Sequence, residues 1–124
     1  MERRDMLLND VHSGLNETQI ASLKKPTTLP ELVDALRDAK AQDLCVCVFG
    51  GRHAMGGQQF LTDSLQIDTT GLTNVLNTDS TRGQIEVEAG IMWPALIAAT
   101  HTMPHPDGST WAIRQKQTGV DEVT

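Results

Sequence analysis

A run of six apolar residues, Leu44-Cys45-Val46-Cys47-Val48-Phe49, leads directly into Gly50-Gly51-Arg52-His53-Ala54-Met55-Gly56-Gly57-Gln58. No polar residue interrupts the run, which predicts a strand covered on both faces, as in a parallel sheet. Four glycines within eight residues (Gly50, Gly51, Gly56, Gly57) then remove Cβ atoms where the backbone must take positive φ or approach something closely. In open α/β units, ligands gather at the carboxyl ends of strands. Consecutive N–H groups in such a loop form a nest for phosphate oxygens. Arg52 adds a fixed positive charge suited to phosphate, and His53 sits in the middle, available as a nucleophile. The plainer alternative is a glycine-rich surface turn with a solvated Arg52 and His53. The spacing is not Gly-x-Gly-x-x-Gly, which disfavours a Rossmann nicotinamide site. Nor is it Gly-x4-Gly-Lys-Ser/Thr, which excludes a P-loop triphosphatase.

The residues before this loop predict a βαβ unit. Ile20 to Lys25 reads as a short strand that Pro26 ends. Thr28 and Glu31 stand at capping-box spacing and Pro30 falls in the first turn of the helix that follows. Leu29, Leu32, Val33 and Leu36 form one apolar stripe, which Ala39 extends, and are expected to be core, with Asp34, Arg37, Asp38 and Lys40 on the solvent side. Gln42-Asp43 closes this helix. Residues 1–16, polar and charged with a turn at Ser13-Gly14-Leu15-Asn16, read as a loose N-terminal arm.

Beyond the loop the texture changes. Leu65-Gln66-Ile67-Asp68 and Ile85-Glu86-Val87-Glu88-Ala89 alternate. The turn cluster Asp79-Ser80-Thr81-Arg82-Gly83 places an antiparallel hairpin between Val75-Leu76-Asn77 and Ile85. A second helix is expected from about Trp93 to Ala99, starting near Pro94. His101 to Ser109, with Pro104, Pro106 and Gly108, reads as a loop.

Composition narrows the class of partner. The chain of 124 residues carries 10 basic and 16 acidic side chains, a net charge of −6 that argues against nucleic acid. No apolar run approaches the about 18 residues of a membrane span, and no signal segment stands at the N-terminus, so the expected compartment is the cytoplasm. Cys45 and Cys47, two apart on a strand, share a face with parallel Cβ vectors and are expected to be buried free thiols.

Residues 50–58 resemble the pyrophosphate loop of FAD-linked oxidases of the vanillyl-alcohol oxidase and p-cresol methylhydroxylase type. His53-Ala54-Met55-Gly56-Gly57-Gln58 is similar to the His-Ser-x-x-Gly-Gln of cytokinin dehydrogenases and related sugar and lactone oxidases. Ala54 stands where serine is usual, and Arg52 where many members carry glycine. Thr28-Leu29-Pro30-Glu31-Leu32, Leu65-Gln66-Ile67-Asp68 followed by Leu72, and Val87-Glu88-Ala89-Gly90-Ile91-Met92-Trp93-Pro94-Ala95-Leu96 also resemble family segments.

This resemblance implies an α+β fold: the N-terminal portion of a PCMH-type FAD-binding domain, with a small βαβ subdomain (about 17–75) and the start of an antiparallel one. It implies that residues 17–124 are a truncated cofactor domain whose substrate domain is absent. It further implies that Gly50, Gly51, Arg52, His53, Ala54 and Met55 wrap the FAD pyrophosphate. Gly56, Gly57 and Gln58 complete the loop, Gly57 and Gln58 beside the flavin, and Gly119 and Thr124 fall near later contacts. His53 matches the histidine that many members attach covalently to the flavin. The intact parent is then expected to be an FAD-dependent oxidoreductase acting on a small-molecule alcohol, sugar, lactone or amine, and this chain alone to be inactive and to bind FAD poorly or not at all. The second reading is a non-catalytic βαβ module for a phosphate-bearing ligand or a partner subunit.

Other residues carry blander expectations. His101 and His105 would be a metal pair only on a helix, which Pro104 and Pro106 forbid. His12 is expected to be solvent-exposed in the arm, and Trp93 and Trp111 to be buried surface. A metal site built from Cys45, Cys47 and histidines is disfavoured, because strand thiols and loop histidines need not meet.

Overall fold

The computed structural model describes residues 6–114. The elements are β1 (Met6–Leu8), β2 (Thr18–Ile20), β3 (Ser22–Lys24), α1 (Leu29–Ala41), β4 (Val46–Phe49), β5 (Leu65–Asp68), a 3-10 turn (Thr69–Gly71), β6 (Val75–Asp79), β7 (Gln84–Val87) and α2 (Trp93–His101). The fold is mixed α/β: a small parallel sheet, then an antiparallel hairpin.

Helix α1 begins as its sequence dictates. The Thr28 hydroxyl accepts from the Glu31 N–H at 3.3 Å. The Glu31 carboxylate reaches back one residue beyond the usual partner, to the N–H and hydroxyl of Thr27 at 2.6 and 2.9 Å. The other end closes in a Schellman motif. Leu44 N–H bonds to Ala39 O at 2.9 Å and Asp43 N–H to Lys40 O at 3.3 Å, with Asp43 at φ 54° in the place glycine often takes.

The parallel sheet has the order β3-β5-β4. The strand, helix, strand unit is therefore present, but its two strands do not pair. β5 inserts between them, with Ser22 and Val46 both opposite Leu65. This corrects the expectation for Leu44–Phe49. The middle position belongs to β5, whose Leu65, Gln66 and Ile67 are buried. β4 is an edge strand, and Val46 and Val48 are exposed. Cys45 is exposed and Cys47 half-buried, and both are free thiols.

The two faces of the sheet carry separate cores. On one, Leu65 and Ile67 pack against Ala35 and Ala39 of α1, flanked by Leu32 and Leu44. The apolar stripe of α1 is thus rotated from its expected position. Close packing on the sheet selects the small Ala35 and Ala39, while Leu29 and Leu36 stay exposed. On the other face Phe49 and Phe60 meet edge to face at 5.9 Å, joined by Leu8 and Ile20. The expected strand from Ile20 to Lys25 is split. Thr18–Ile20 pairs antiparallel with β1, whereas Ser22–Lys24 joins the parallel sheet.

Residues 6–16, expected to be loose, are ordered by two causes. Met6–Leu8 pairs with Thr18–Ile20 and buries Leu8, and Asp10 is buried under a set of hydrogen bonds described below. The hairpin of β6 and β7 forms as its turn cluster requires, with a register irregularity between Val75 and Asn77. No helix among the described residues is long and apolar enough to cross a membrane.

Candidate functional site

The glycine loop leaves the carboxyl end of β4 and crosses the face opposite α1 before entering β5. Three contacts fix its two ends. The buried Thr69 hydroxyl donates to Phe49 O at 3.1 Å, at the last residue of β4. Cys47 Sγ lies 3.3 Å from Gln59 O. The wholly buried Gln66 amide sits with its nitrogen on Gln59 O (3.2 Å) and its oxygen on the Leu61 N–H (2.8 Å). A central-strand glutamine thus carries the hydrogen bonds that a covered loop exit needs.

The wall of the loop is the segment between β1 and β2. Val11 N–H donates to Arg52 O at 3.0 Å, and Asn16 Nδ2 donates to Met55 O at 2.7 Å and to Asp10 Oδ1 at 2.8 Å. Asp10 organises this segment, accepting from the Ser13 N–H (2.6 Å), the Ser13 hydroxyl (2.9 Å) and the His12 N–H (3.2 Å). Burial works against the charge of Asp10, but the hydrogen bonds from Ser13 and Asn16 outweigh it and hold the carboxyl well below the usual range. Gly57 packs on the same segment at φ 73°, and a Cβ there would stand 2.7 Å from Asn16 Oδ1.

Five of the ten carbonyls from Gly50 to Gln59 are tied back to the protein. The carbonyls of Arg52, Ala54, Met55, Gly57 and Gln59 accept from Val11 N–H, Gln59 Nε2, Asn16 Nδ2, Phe60 N–H and Cys47 Sγ respectively. By contrast, no backbone N–H from Gly50 to Gln59 donates to an acceptor among the described residues. Backbone donors require partners. A half-buried loop with five of its ten carbonyls tied back to the protein and none of its N–H groups so used offers a surface for an anion. The residues therefore fit a diphosphate.

Arg52 takes part differently from its expected role. Its backbone is left-handed, φ 59°. Its guanidinium lies over the Phe49 ring at 5.9 Å and donates to Asn9 O at 3.4 Å. The side chain thus clamps the wall to the core, and its contacts are with protein. His53 is half-buried, and its Nδ1 stands 2.9 Å from Nε2 of His12. His12, expected to be solvent-exposed, is exposed and is also the direct partner of the loop histidine.

Of the sequence-derived candidates, Gly50 to Gln58 lie together in this loop, with Met55 exposed at its tip. Gly119 and Thr124 lie outside the described residues. Asn9, Asp10, His12, Asn16, Thr69 and Gln66 were not legible as site residues. The Asn9-Asp10-x-x-Ser13 spacing signals a local turn but not its distant partner. His105 pairs with Asp107 at 2.8 Å and lies edge-on to Trp111. Hydrogen bonds from Ser109 and His105 bring the Asp107 carboxyl down to about 2. Among the described residues no group of three His, Cys, Asp or Glu is placed to hold a metal ion.

Residues 20–110 match the family model described as FAD binding domain. The structure of alkyldihydroxyacetonephosphate synthase in P1 superposes with a TM-score of 0.58 at 23% identity, covering 81% of this chain and 22% of that one. At that identity the likeness is one of fold. The chain spans about a fifth of that protein's length. No curated protein matches the sequence.

Proposed function

The chain belongs to the FAD binding domain family, and from that premise we propose that Gly50 to Gln58 hold the FAD diphosphate within a flavin-dependent oxidoreductase. The observation that carries this reading is the row of N–H groups from Gly50 to Gln59, none of which donates to an acceptor among the described residues, at the end of a parallel strand. Gly50, Gly51, Arg52, His53, Ala54 and Met55 contribute main-chain donors, and Gly57 and Gln58 lie toward the flavin end. Arg52 acts through its backbone and through the clamp on Phe49, with its charge behind the loop. Bound FAD supplies the redox chemistry, accepting a hydride from a carbon of a small alcohol, sugar, lactone or amine. The chain's residues position the dinucleotide and exclude water from its phosphates. His53 is the residue for covalent attachment of the flavin.

Amide chemical shifts test the reading. Titrating the ¹⁵N-labelled chain with FAD and with inorganic pyrophosphate is expected to move the 50–58 amides, while riboflavin leaves the phosphate-facing ones in place. Pyrophosphate and FAD acting alike, with no added effect of the flavin, would favour a phosphate-binding module without redox chemistry. Because the isolated chain is expected to hold FAD weakly, the same titration is read in the longer parent, where no shift in the loop with any of them rejects the site. For covalent attachment, flavin that remains in the acid precipitate of the longer parent and is released by His53→Ala is the expected result.

A further inference from the structure

Every peptide bond among the described residues is trans, so each C=O and the N–H that follows it point in opposite directions. A carbonyl that is tied down therefore aims one amide. Two of the tied carbonyls of the glycine loop are held by the same wall. Val11 N–H holds Arg52 O at 3.0 Å, which turns the His53 N–H away from residues 9–16. Asn16 Nδ2 holds Met55 O at 2.7 Å, which turns the Gly56 N–H away from them as well. A third carbonyl, Ala54 O, is held from within the loop by Gln59 Nε2 at 2.7 Å, and this aims the Met55 N–H. None of the three aimed N–H groups donates to an acceptor among the described residues, and Met55 and Gly56 are exposed.

We propose that Asn16 is the positioning residue of the Gly56 N–H, holding it aimed at the diphosphate before the ligand arrives. This role rests on the FAD reading above and adds to it which main-chain donors are preset, and by what. Asn16 is itself held in one orientation. Its Nδ2 carries two hydrogens, one for Met55 O and one for Asp10 Oδ1 at 2.8 Å. Turning the amide over would set its oxygen against two acceptors. The Asn16 backbone is fixed too, since its N–H donates to Asn9 Oδ1 at 2.9 Å. Asp10 is buried, and Ser13 holds it through its N–H at 2.6 Å and its hydroxyl at 2.9 Å. Gly57, lacking a Cβ, leaves the space that Asn16 Oδ1 occupies. An anion then meets a donor that is already in place, whereas an untied Met55 carbonyl would leave the peptide to be ordered on binding.

The test uses the longer parent, ¹⁵N-labelled and prepared without flavin, with ADP as the probe, because ADP carries a diphosphate and no flavin to attach. In the unaltered protein ADP is expected to move the His53, Met55 and Gly56 amides. Asn16→Ala should abolish the Gly56 response and leave that of Met55, whose aim depends on Gln59. It should also raise the ADP dissociation constant about tenfold, the scale of one hydrogen bond to a charged group. Asn16→Asp, whose carboxylate has no hydrogen for Met55 O, should do the same. A merely structural role would weaken all three responses together, and that outcome overturns the proposal, as does a Gly56 response indifferent to Asn16→Ala. Residual dipolar couplings of the unaltered protein decide the matter without any variant. The Gly56 N–H direction is expected to be the same with and without ADP, and a direction that turns on binding shows that it was not preset. Silence of every loop amide toward both ADP and FAD rejects the cofactor site. A responding loop with any of the overturning results rejects only the role given to Asn16.

Discussion

Gly57 and Asn16 meet so closely that a Cβ on the glycine would stand 2.7 Å from the asparagine Oδ1, and the glycine backbone is left-handed at φ 73°. Gly57→Ala therefore meets two obstacles. The φ alone costs about 1–2 kcal/mol, and the contact displaces the amide that holds Met55 O. Chemical denaturation is expected to show a loss larger than the φ cost. Combining it with Asn16→Ala should recover the contact part and not the φ part. A strictly additive double mutant would show that the two residues act independently.

The buried Thr69 hydroxyl holds Phe49 O at the point where β4 becomes the glycine loop. Thr69→Val keeps the shape and strands that carbonyl. The expected loss is about 1–3 kcal/mol, with faster hydrogen exchange in residues 50–58 than in α1. Equal acceleration throughout the chain would show that Thr69 does not act on the loop.

Asp10 supplies an acid-sensitive anchor. Its carboxyl is held below its unfolded value, so its contribution to stability is whole above about pH 4, the ordinary aspartate value. The contribution falls as pH drops below that value and is lost once pH passes beneath the folded one. Asp10→Asn should lower the denaturation midpoint at neutral pH, and the gap between the two proteins should narrow steadily in acid. A gap that stays constant down to strongly acidic pH would contradict this account of residues 9–16.

The exchange of roles between β4 and β5 has a direct mutational signature. Val48 is 51% exposed and Leu65 fully buried. Val48→Thr is expected to change stability by no more than about 0.5 kcal/mol, whereas Leu65→Ala should cost about 2–5 kcal/mol. Similar losses at both positions would mean that β4 is covered in solution.

Local signals in the sequence told the truth about local structure. Thr28 and Glu31 marked the start of α1, Asp79 to Gly83 marked the hairpin, and the glycine loop marked the end of a strand. Each depends on neighbours within a few residues. What stayed hidden was set by distant partners. The run Leu44–Phe49 looks more buried than Leu65–Asp68, yet strand order places β5 in the middle, and hydrophobicity does not encode order. Ala39 was placed on the apolar stripe, but Ala35 was passed over for leucines because the sequence does not say how closely the helix approaches the sheet. The wall of the site escaped notice for the same reason. Asn9, Asp10 and His12 form an ordinary polar turn until Arg52 and His53 arrive from 41 or more positions away.

The free N–H groups of residues 50–59 make a small electropositive spot on a chain of net charge −6. A dinucleotide and this protein therefore repel one another across open solvent and attract only on touching. Beyond about 10 Å, mobile ions mask such repulsion at ordinary salt. Capture should accordingly be slow in dilute buffer and quicken as salt is added, while escape, governed by short-range amide contacts, should change far less.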